Sequence, residues 1–91
     1  MVTGIVLVNV ERGMIRDVIE NLVKIEGVTE VYSVAGEYDL VVMIRVKSNA
    51  ELADIIATRM THDITGIVHT KTLVTLTAYS KFELEKIFLP E

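Results

Sequence analysis

Residues 28–46 contain the feature that most limits the possible folds, two strand-like runs joined by a short polar turn. The first run, Val28–Ala35, is rich in β-branched and aromatic residues, and the second, Leu40–Ile44, is apolar throughout. Gly36–Asp39 lie between them, and Gly36 can adopt the positive φ that such a turn needs. This pattern is typical of a β-hairpin. We expect the rest of the chain to form the scaffold of this hairpin.

A strand and then a helix precede the hairpin. Val2–Val10 carries apolar residues on both alternating faces, which predicts a central strand that is covered on each side. From Met14 to Glu26 the apolar residues recur at helical spacing. Gly27 follows at the position where a left-handed residue ends a helix. The hairpin's second strand is expected to run to about Val46.

A second helix and a last strand follow the hairpin. Ser48 and Glu51 fit a capping box, in which the Ser48 hydroxyl bonds an early amide and Glu51 reaches back. Ile67–Ala78 predicts a long strand whose alternation separates two sets of side chains, with Val68, Thr70 and Thr72 on one face and Ile67, His69 and Lys71 on the other. Ser80–Glu83 is a second capping box, which predicts a short tail helix through Phe88.

The predicted order of elements is β-α-β-β-α-β, followed by the tail helix. This order predicts an α+β, ferredoxin-like fold with an antiparallel sheet. Right-handed crossovers place both helices on one face of the sheet and leave the other face bare and apolar, which predicts oligomerisation. We expect all 91 residues to form one domain, with a core at about 2–78 and a tail at 79–91.

Composition limits the functional classes. The chain has a net charge of −4 and a pI of about 5.1, so it lacks the basic surface that a nucleic-acid-binding protein needs. The chain has no Cys, no signal-peptide pattern and no apolar run of membrane-spanning length. We expect a cytoplasmic protein that binds neither DNA nor membranes directly.

Catalytic and metal sites are not predicted. The two His residues, His62 and His69, have no carboxylate at ligand spacing, and no local pattern joins either of them to a Ser. No glycine-rich phosphate loop occurs, and no cofactor is expected. Asp39 and Tyr38 have two open interpretations: the residues of an ordinary turn, or the polar groups of a binding site held between rigid strands.

A family resemblance favours the second interpretation. Gly36-Glu37-Tyr38-Asp39, which follows Val28–Val34 and leads into Leu40-Val41-Val42, resembles the G-x-Y-D hallmark of the effector-binding (RAM) domain of Lrp/AsnC-type regulators. Gly66-Ile67-x-x-Thr70-x-Thr72 resembles the closing strand of that domain, and Ile5–Val10 resembles its first strand. The resemblance covers about residues 2–78.

The resemblance implies a dimeric α/β barrel in which ferredoxin-like sheets pack face to face, and further association of the dimers into rings. It implies an amino acid effector bound between dimers near Gly36, Tyr38 and Asp39. Thr70 and Thr72 are expected to contribute hydroxyls. The family's helix-turn-helix has no counterpart in this sequence, so we expect a stand-alone effector domain that acts by joining a full-length relative.

Two other functions remain as alternatives. The first is a small dimeric α/β-barrel enzyme of the monooxygenase or isomerase type, which would need an acid or base in an internal cleft. The second is a purely structural assembly protein. The effector, the number of dimers and the regulated genes are not specified by the sequence.

Overall fold

The computed structural model describes residues 1–79, which contain four strands and two helices arranged in the predicted order. The elements are β1 (Val2–Val10), α1 (Ile15–Leu22), β2 (Val28–Ser33), β3 (Leu40–Val46), α2 (Asn49–Asp54, continued by a π-helix at Ile55–Met60) and β4 (Ile67–Val74). The strands form one antiparallel sheet in the order β2-β3-β1-β4. This is the ferredoxin-like α+β fold that the sequence predicts.

The hydrophobic core lies between the two helices and one face of the sheet. Alternate residues of the central strands face it, and their side chains are fully buried, as at Val6, Val8, Leu40, Val42 and Ile44. The helices complete it with the buried residues Val18, Leu22, Leu52, Ile55 and Met60. Every second residue of β1 and β3 is therefore committed to this helix-side face.

The other face of the sheet, called the open face below, carries no element of residues 1–79. Paired residues share a face, so the pairing of β1 with β3 and β4 defines its apolar centre. That centre consists of Ile5, Leu7, Val41, Met43 and Leu73. Polar side chains surround it, among them Glu30, Arg45, His69 and Lys71. The face is apolar at its middle and polar at its border.

α1 is shorter than the predicted Met14–Glu26 helix. It ends at Leu22, because the amides of Lys24 and Ile25 donate to carbonyls only three residues back, at 3.3 and 3.1 Å. These bonds tighten the last turn and bring Ile25 into the core. Gly27 then reverses the chain with a φ of +102°, as its position in the sequence predicts.

α2 begins with the predicted capping arrangement. The Ser48 hydroxyl accepts a hydrogen bond from the Glu51 amide at 3.2 Å, and the Glu51 carboxylate accepts one from the amide of Lys47, also at 3.2 Å. The π-helical continuation is not predicted by the sequence pattern. Its backbone hydrogen bonds reach back five residues: the Thr61 amide donates to the Ile56 carbonyl at 3.3 Å.

β4 differs from its prediction at both ends. It ends at Val74 rather than Ala78, although the Thr75 amide still donates to the Thr3 carbonyl at 3.0 Å. At its start, a β-bulge at Asn9/Val10 pairs Val10 with Ile67. Ile67 therefore packs against the core instead of sharing a face with His69. The predicted capping box at Ser80–Glu83 and the tail helix lie outside the described residues.

Within residues 1–79, no helix is both long enough and apolar enough to cross a bilayer.

Candidate functional site

The link between β2 and β3, residues 34–39, is the candidate site that the sequence singles out. It closes the hairpin with one backbone bond, from the Val34 amide to the Asp39 carbonyl at 3.0 Å. β2 pairs with β3 from Val28 to Ser33, so the link starts and ends on hydrogen-bonded strands. Rigid strands on both sides hold the polar residues of the link in place.

Asp39 ties this link to a third strand. Its backbone amide donates to the Val8 carbonyl at 2.9 Å, and its carboxylate Oδ2 accepts a hydrogen bond from the Val10 amide at 2.8 Å. Val10 lies beside the bulge, where the regular ladder is disturbed, and the carboxylate supplies the acceptor for its amide. Asp39 therefore has a structural role, and its partner is distant in the sequence rather than local.

Tyr38 reaches the last strand. Its ring stacks on the ring of His69, with centroids 6.4 Å apart and an interplanar angle of 18°. His69 pairs with Asn9 across β1–β4, which places the stack on the open face. Sequence reasoning treats His69 as an ordinary surface residue. That Tyr38 is the neighbour of His69 could be inferred only by knowing that the 34–39 link crosses the end of β1.

Gly36 is exposed and has a φ of +144°, a value that side-chain-bearing residues rarely adopt. An added Cβ would meet no heavy atom within 4 Å. The glycine is therefore required by the backbone of the link and not by contacts within the chain. The space above it is open to a ligand or to another subunit.

Thr70 and Thr72 lie on the helix-side face, where they pair with Val8 and Val6. Thr70 is two strand spacings, about 10 Å, from Leu40 at the end of the link. Within one chain, the structure thus brings Gly36, Tyr38 and Asp39 together, while the two Thr hydroxyls are on the opposite side of the sheet from the Tyr38–His69 stack.

A second polar cluster lies on the open face, farther along β2 and β3. The Glu30 carboxylate accepts hydrogen bonds from the Tyr32 hydroxyl at 2.7 Å and from Arg45, with which it forms an ion pair. Arg45 also donates to the Thr29 hydroxyl at 2.6 Å. The bond from Tyr32, followed by those from Arg45 and Thr29, lowers the pKa of Glu30 to about 2. The same bond raises the pKa of Tyr32.

A groove of about 560 Å³ lies at the other end of the sheet, between α2 and the adjoining ends of β1 and β3. Buried residues form its apolar floor, among them Ile25, Val46 and Ile55, and exposed charges of both signs line its rim. It does not adjoin the 34–39 link. The link is thus a surface in the single chain, and a neighbouring chain would be needed to enclose a ligand there.

Among residues 1–79, no group of three or more His, Cys, Asp or Glu residues has the geometry to hold a metal ion. The arrangement at the link offers an ordered carboxylate at Asp39, the Tyr38–His69 stack and an exposed turn at Gly36. These groups suit the binding of a small polar molecule.

Comparison with known proteins identifies one family. The model of the Lrp/AsnC ligand binding domain matches residues 3–84 of this chain. Among curated proteins, the HTH-type transcriptional regulator FL11 of Pyrococcus abyssi is 37% identical over an alignment of 79 residues that covers 84% of this chain and 49% of that protein. The chain therefore spans about half the length of the curated relatives it matches.

Solved structures show the same fold. TTHA0845 of Thermus thermophilus is 34% identical, with a TM-score of 0.81 over 89% of this chain and 100% of that one. The feast or famine regulatory protein Rv3291c of M. tuberculosis, solved in complex with L-methionine, is 27% identical, with a TM-score of 0.72 over 91% of this chain and 56% of that one.

Proposed function

Because this chain belongs to the Lrp/AsnC family through its ligand-binding domain, we propose that it is an amino-acid-binding, oligomerising regulatory module. The observation that carries the proposal is the ordered carboxylate of Asp39 beside the exposed turn at Gly36. The methionine complex of Rv3291c supports an α-amino acid as the class of effector. The relatives are transcriptional regulators, which argues against the enzyme alternative.

An amino acid is a zwitterion, so it needs partners for both charges when it leaves water. Asp39 uses Oδ2 for Val10, and we propose that its other oxygen accepts a hydrogen bond from the ligand's ammonium group. The exposed amides around Gly36 can donate to the ligand's carboxylate. Tyr38, stacked on His69, would form an aromatic wall on the same side.

Thr70 and Thr72 enter this site only if another subunit supplies them. On their own chain they lie on the helix-side face, away from the Tyr38–His69 stack. We therefore propose that the ligand lies at a contact between dimers, with the turn from one chain and the hydroxyls from another. Ligand binding and assembly are then coupled, because the ligand stabilises the contact that encloses it.

The dimer itself is proposed to form through the open face. Its apolar centre and polar border have the organisation of a protein interface. In the single chain Leu73 is 46% exposed and Tyr32 is 48% exposed, and a face-to-face contact between two sheets would bury both side chains. Sedimentation at micromolar concentration tests this part, and a 10.2 kDa monomer as the sole species would refute it.

The regulatory partner is proposed to be a DNA-binding relative of the same family, acting in the cytoplasm. FL11-type relatives are named as HTH-type regulators, and this chain matches about half of their length. Mixed assemblies would connect an amino acid signal to a DNA-bound regulator without any contact between this domain and DNA.

The test is a thermal-shift screen against the common amino acids, followed by calorimetry on any ligand that stabilises the protein. A ligand at a hundred times its Kd stabilises the folded state by about 2.7 kcal/mol, so a specific effector is readily detected. Asp39→Asn should weaken binding about tenfold, because a charge-assisted bond contributes about 1.5–3 kcal/mol.

Glu37→Gln is the matched control, because Glu37 is an exposed carboxylate in the same link. It should leave the affinity unchanged. If no amino acid stabilises the protein at millimolar concentration, the effector proposal is wrong. If the two variants bind equally well, the ligand does not use Asp39.

A further inference from the structure

The groove beside α2, called the α2 groove below, lies at the end of the sheet away from the candidate effector site. Its floor is aliphatic and consists of Ile25, Val46 and Ile55. Ala50 and Met1 add exposed apolar surface to its walls, and Met1 is 92% exposed. The proposed function uses none of these residues. A groove of about 560 Å³ with an apolar floor has the size and character of a binding site.

The chain leaves β4 close to this groove. The Thr75 amide donates to a carbonyl of β1 at 3.0 Å, and the β1–β4 register places the next residue, Leu76, level with Val2. Val2 in turn pairs with Val46 of the groove floor. Leu76 is therefore two strand spacings, about 10 Å, from Val46. Residues 77–79 span about 10 Å when they are extended, so the segment that follows them starts within reach of the groove.

Residues 80–91 have the apolar side chains that such a groove accepts. The segment contains Leu84, Ile87 and both phenylalanines of the chain, Phe82 and Phe88. In the helix that the sequence predicts here, Leu84, Ile87 and Phe88 fall on one side, because they are three and four residues apart. A phenylalanine buries about 150–250 Å² when it is fully covered. An apolar contact is therefore strongly favourable for this segment.

The charges around the α2 groove favour an amphipathic segment over a simple ion. Its rim combines the cations Lys47 and Arg59 with the acids Glu51 and Asp54. Residues 80–91 likewise combine lysines with glutamates beside their apolar side chains. A rim of both signs around an apolar floor is the organisation of a protein interface. The segment can satisfy the floor and the rim at the same time.

We propose that the α2 groove is the docking site of residues 80–91 of the same chain, with Ile87 and Phe88 against its apolar floor. A segment joined by a short linker has an effective concentration of the order of millimolar. It therefore occupies the groove in preference to a dilute small molecule or to the same segment of a separate copy. The contact goes beyond the proposed function, because the groove adjoins neither the effector site nor the open face.

Cysteine crosslinking tests this contact directly, because the chain contains no cysteine. Ala50 and Ala53 are both exposed residues of α2, but only Ala50 lines the groove. Ala50→Cys combined with Leu84→Cys keeps Ile87 and Phe88 in place and should form a disulfide within one chain under mild oxidation. The matched pair, Ala53→Cys with Leu84→Cys, should not. Non-reducing electrophoresis and intact mass distinguish links within a chain from links between chains.

Equal oxidation of the two cysteine pairs would overturn the proposal. Disulfides that form mainly between chains would also overturn it, because the groove would then take the segment of another copy.

Trypsin cleavage after Lys86 gives an independent measurement, because cleavage of a folded protein follows the population in which the site is open. Ala50→Trp fills the groove and Phe88→Ser removes an anchor, and each should speed this cleavage about tenfold. Ala53→Trp is the matched control and should be cleaved at the rate of the parent. Far-UV circular dichroism checks that each variant is folded.

The double variant Ala50→Trp/Phe88→Ser distinguishes one shared contact from two separate effects. It should be cleaved no faster than the faster single variant, because both substitutions act on the same contact. Effects that multiply to about a hundredfold would overturn the proposal. Single variants that are cleaved at the rate of the parent would overturn it as well.

Discussion

Removal of the Asp39 carboxylate should destabilise the fold as well as any ligand site. The carboxylate satisfies the Val10 amide at 2.8 Å, and the group is partly buried. Loss of a hydrogen bond to a charged group costs about 1.5–3 kcal/mol, part of which comes from the unpaired donor that is left behind. We expect Asp39→Ala to lose about 2 kcal/mol of unfolding free energy, since solvent reaches part of the site.

Asp39→Asn separates charge from geometry. Its amide oxygen can still accept from the Val10 amide, so a neutral hydrogen bond replaces a charge-assisted one. The expected loss is about 1 kcal/mol, half that of the alanine variant. For a domain of this size, each kcal/mol shifts the melting midpoint by about 4–8 °C. Both variants should therefore be distinguishable from the parent in a thermal scan.

The assay is urea unfolding at one fixed protein concentration, because association would otherwise change the apparent stability. Glu37→Ala is the control, an exposed residue of the same link that should stay within about 0.5 kcal/mol of the parent. Hydrogen exchange adds a local readout: the Val10 amide should exchange faster in Asp39→Ala. If Asp39→Ala is as stable as Glu37→Ala, the carboxylate does not hold the link to β1.

Three further outcomes are expected. Gly27→Ala should lower the free energy of unfolding in urea by about 1–3 kcal/mol more than Gly13→Ala. Both glycines have a positive φ (+102° and +85°), but only at Gly27 would a Cβ lie 2.8 and 2.9 Å from core carbons. Equal losses of unfolding free energy would show that this close contact is not limiting. Glu30 has a folded pKa of about 2 against an ordinary 4.5, so its contribution to stability is present above pH 4.5 and is lost as the pH falls towards 2. Glu30→Gln should flatten the dependence of stability on pH in that window, and an unchanged slope would mean that Glu30 is not responsible. The 91-residue chain, with its net charge of −4, should not shift duplex DNA in a gel, and a salt-sensitive, sequence-specific shift would contradict this.

The fold can be predicted from the sequence because its signals are periodic. The predicted bounds of β1, Val2–Val10, are the observed ones, since apolar residues on both faces mark a central strand. The hairpin and the capping residue Ser48 are recognisable from local chemistry. Each of these depends on neighbours in the sequence, which are also the neighbours in space.

The corrections concern features that depend on distant neighbours. Nothing near Ile67 in the sequence signals the bulge on β1 that moves it to the core. The helical pattern continues past Leu22, but the chain turns there to bring Ile25 inward. The sequence can nominate Tyr38 as a site residue but cannot reveal its stack on His69.

The π-helical continuation of α2 contains one residue more than an α-helix would need between Ile55 and Met60. Both side chains are buried, and hydrogen bonds between residues five apart keep them on the same side of the helix. Deletion of an exposed residue between them, such as Ala57, would leave them four apart, the spacing that puts two residues on one face of an α-helix. We therefore expect this segment of the chain to absorb the deletion of one exposed residue by becoming a regular α-helix, with both side chains still buried.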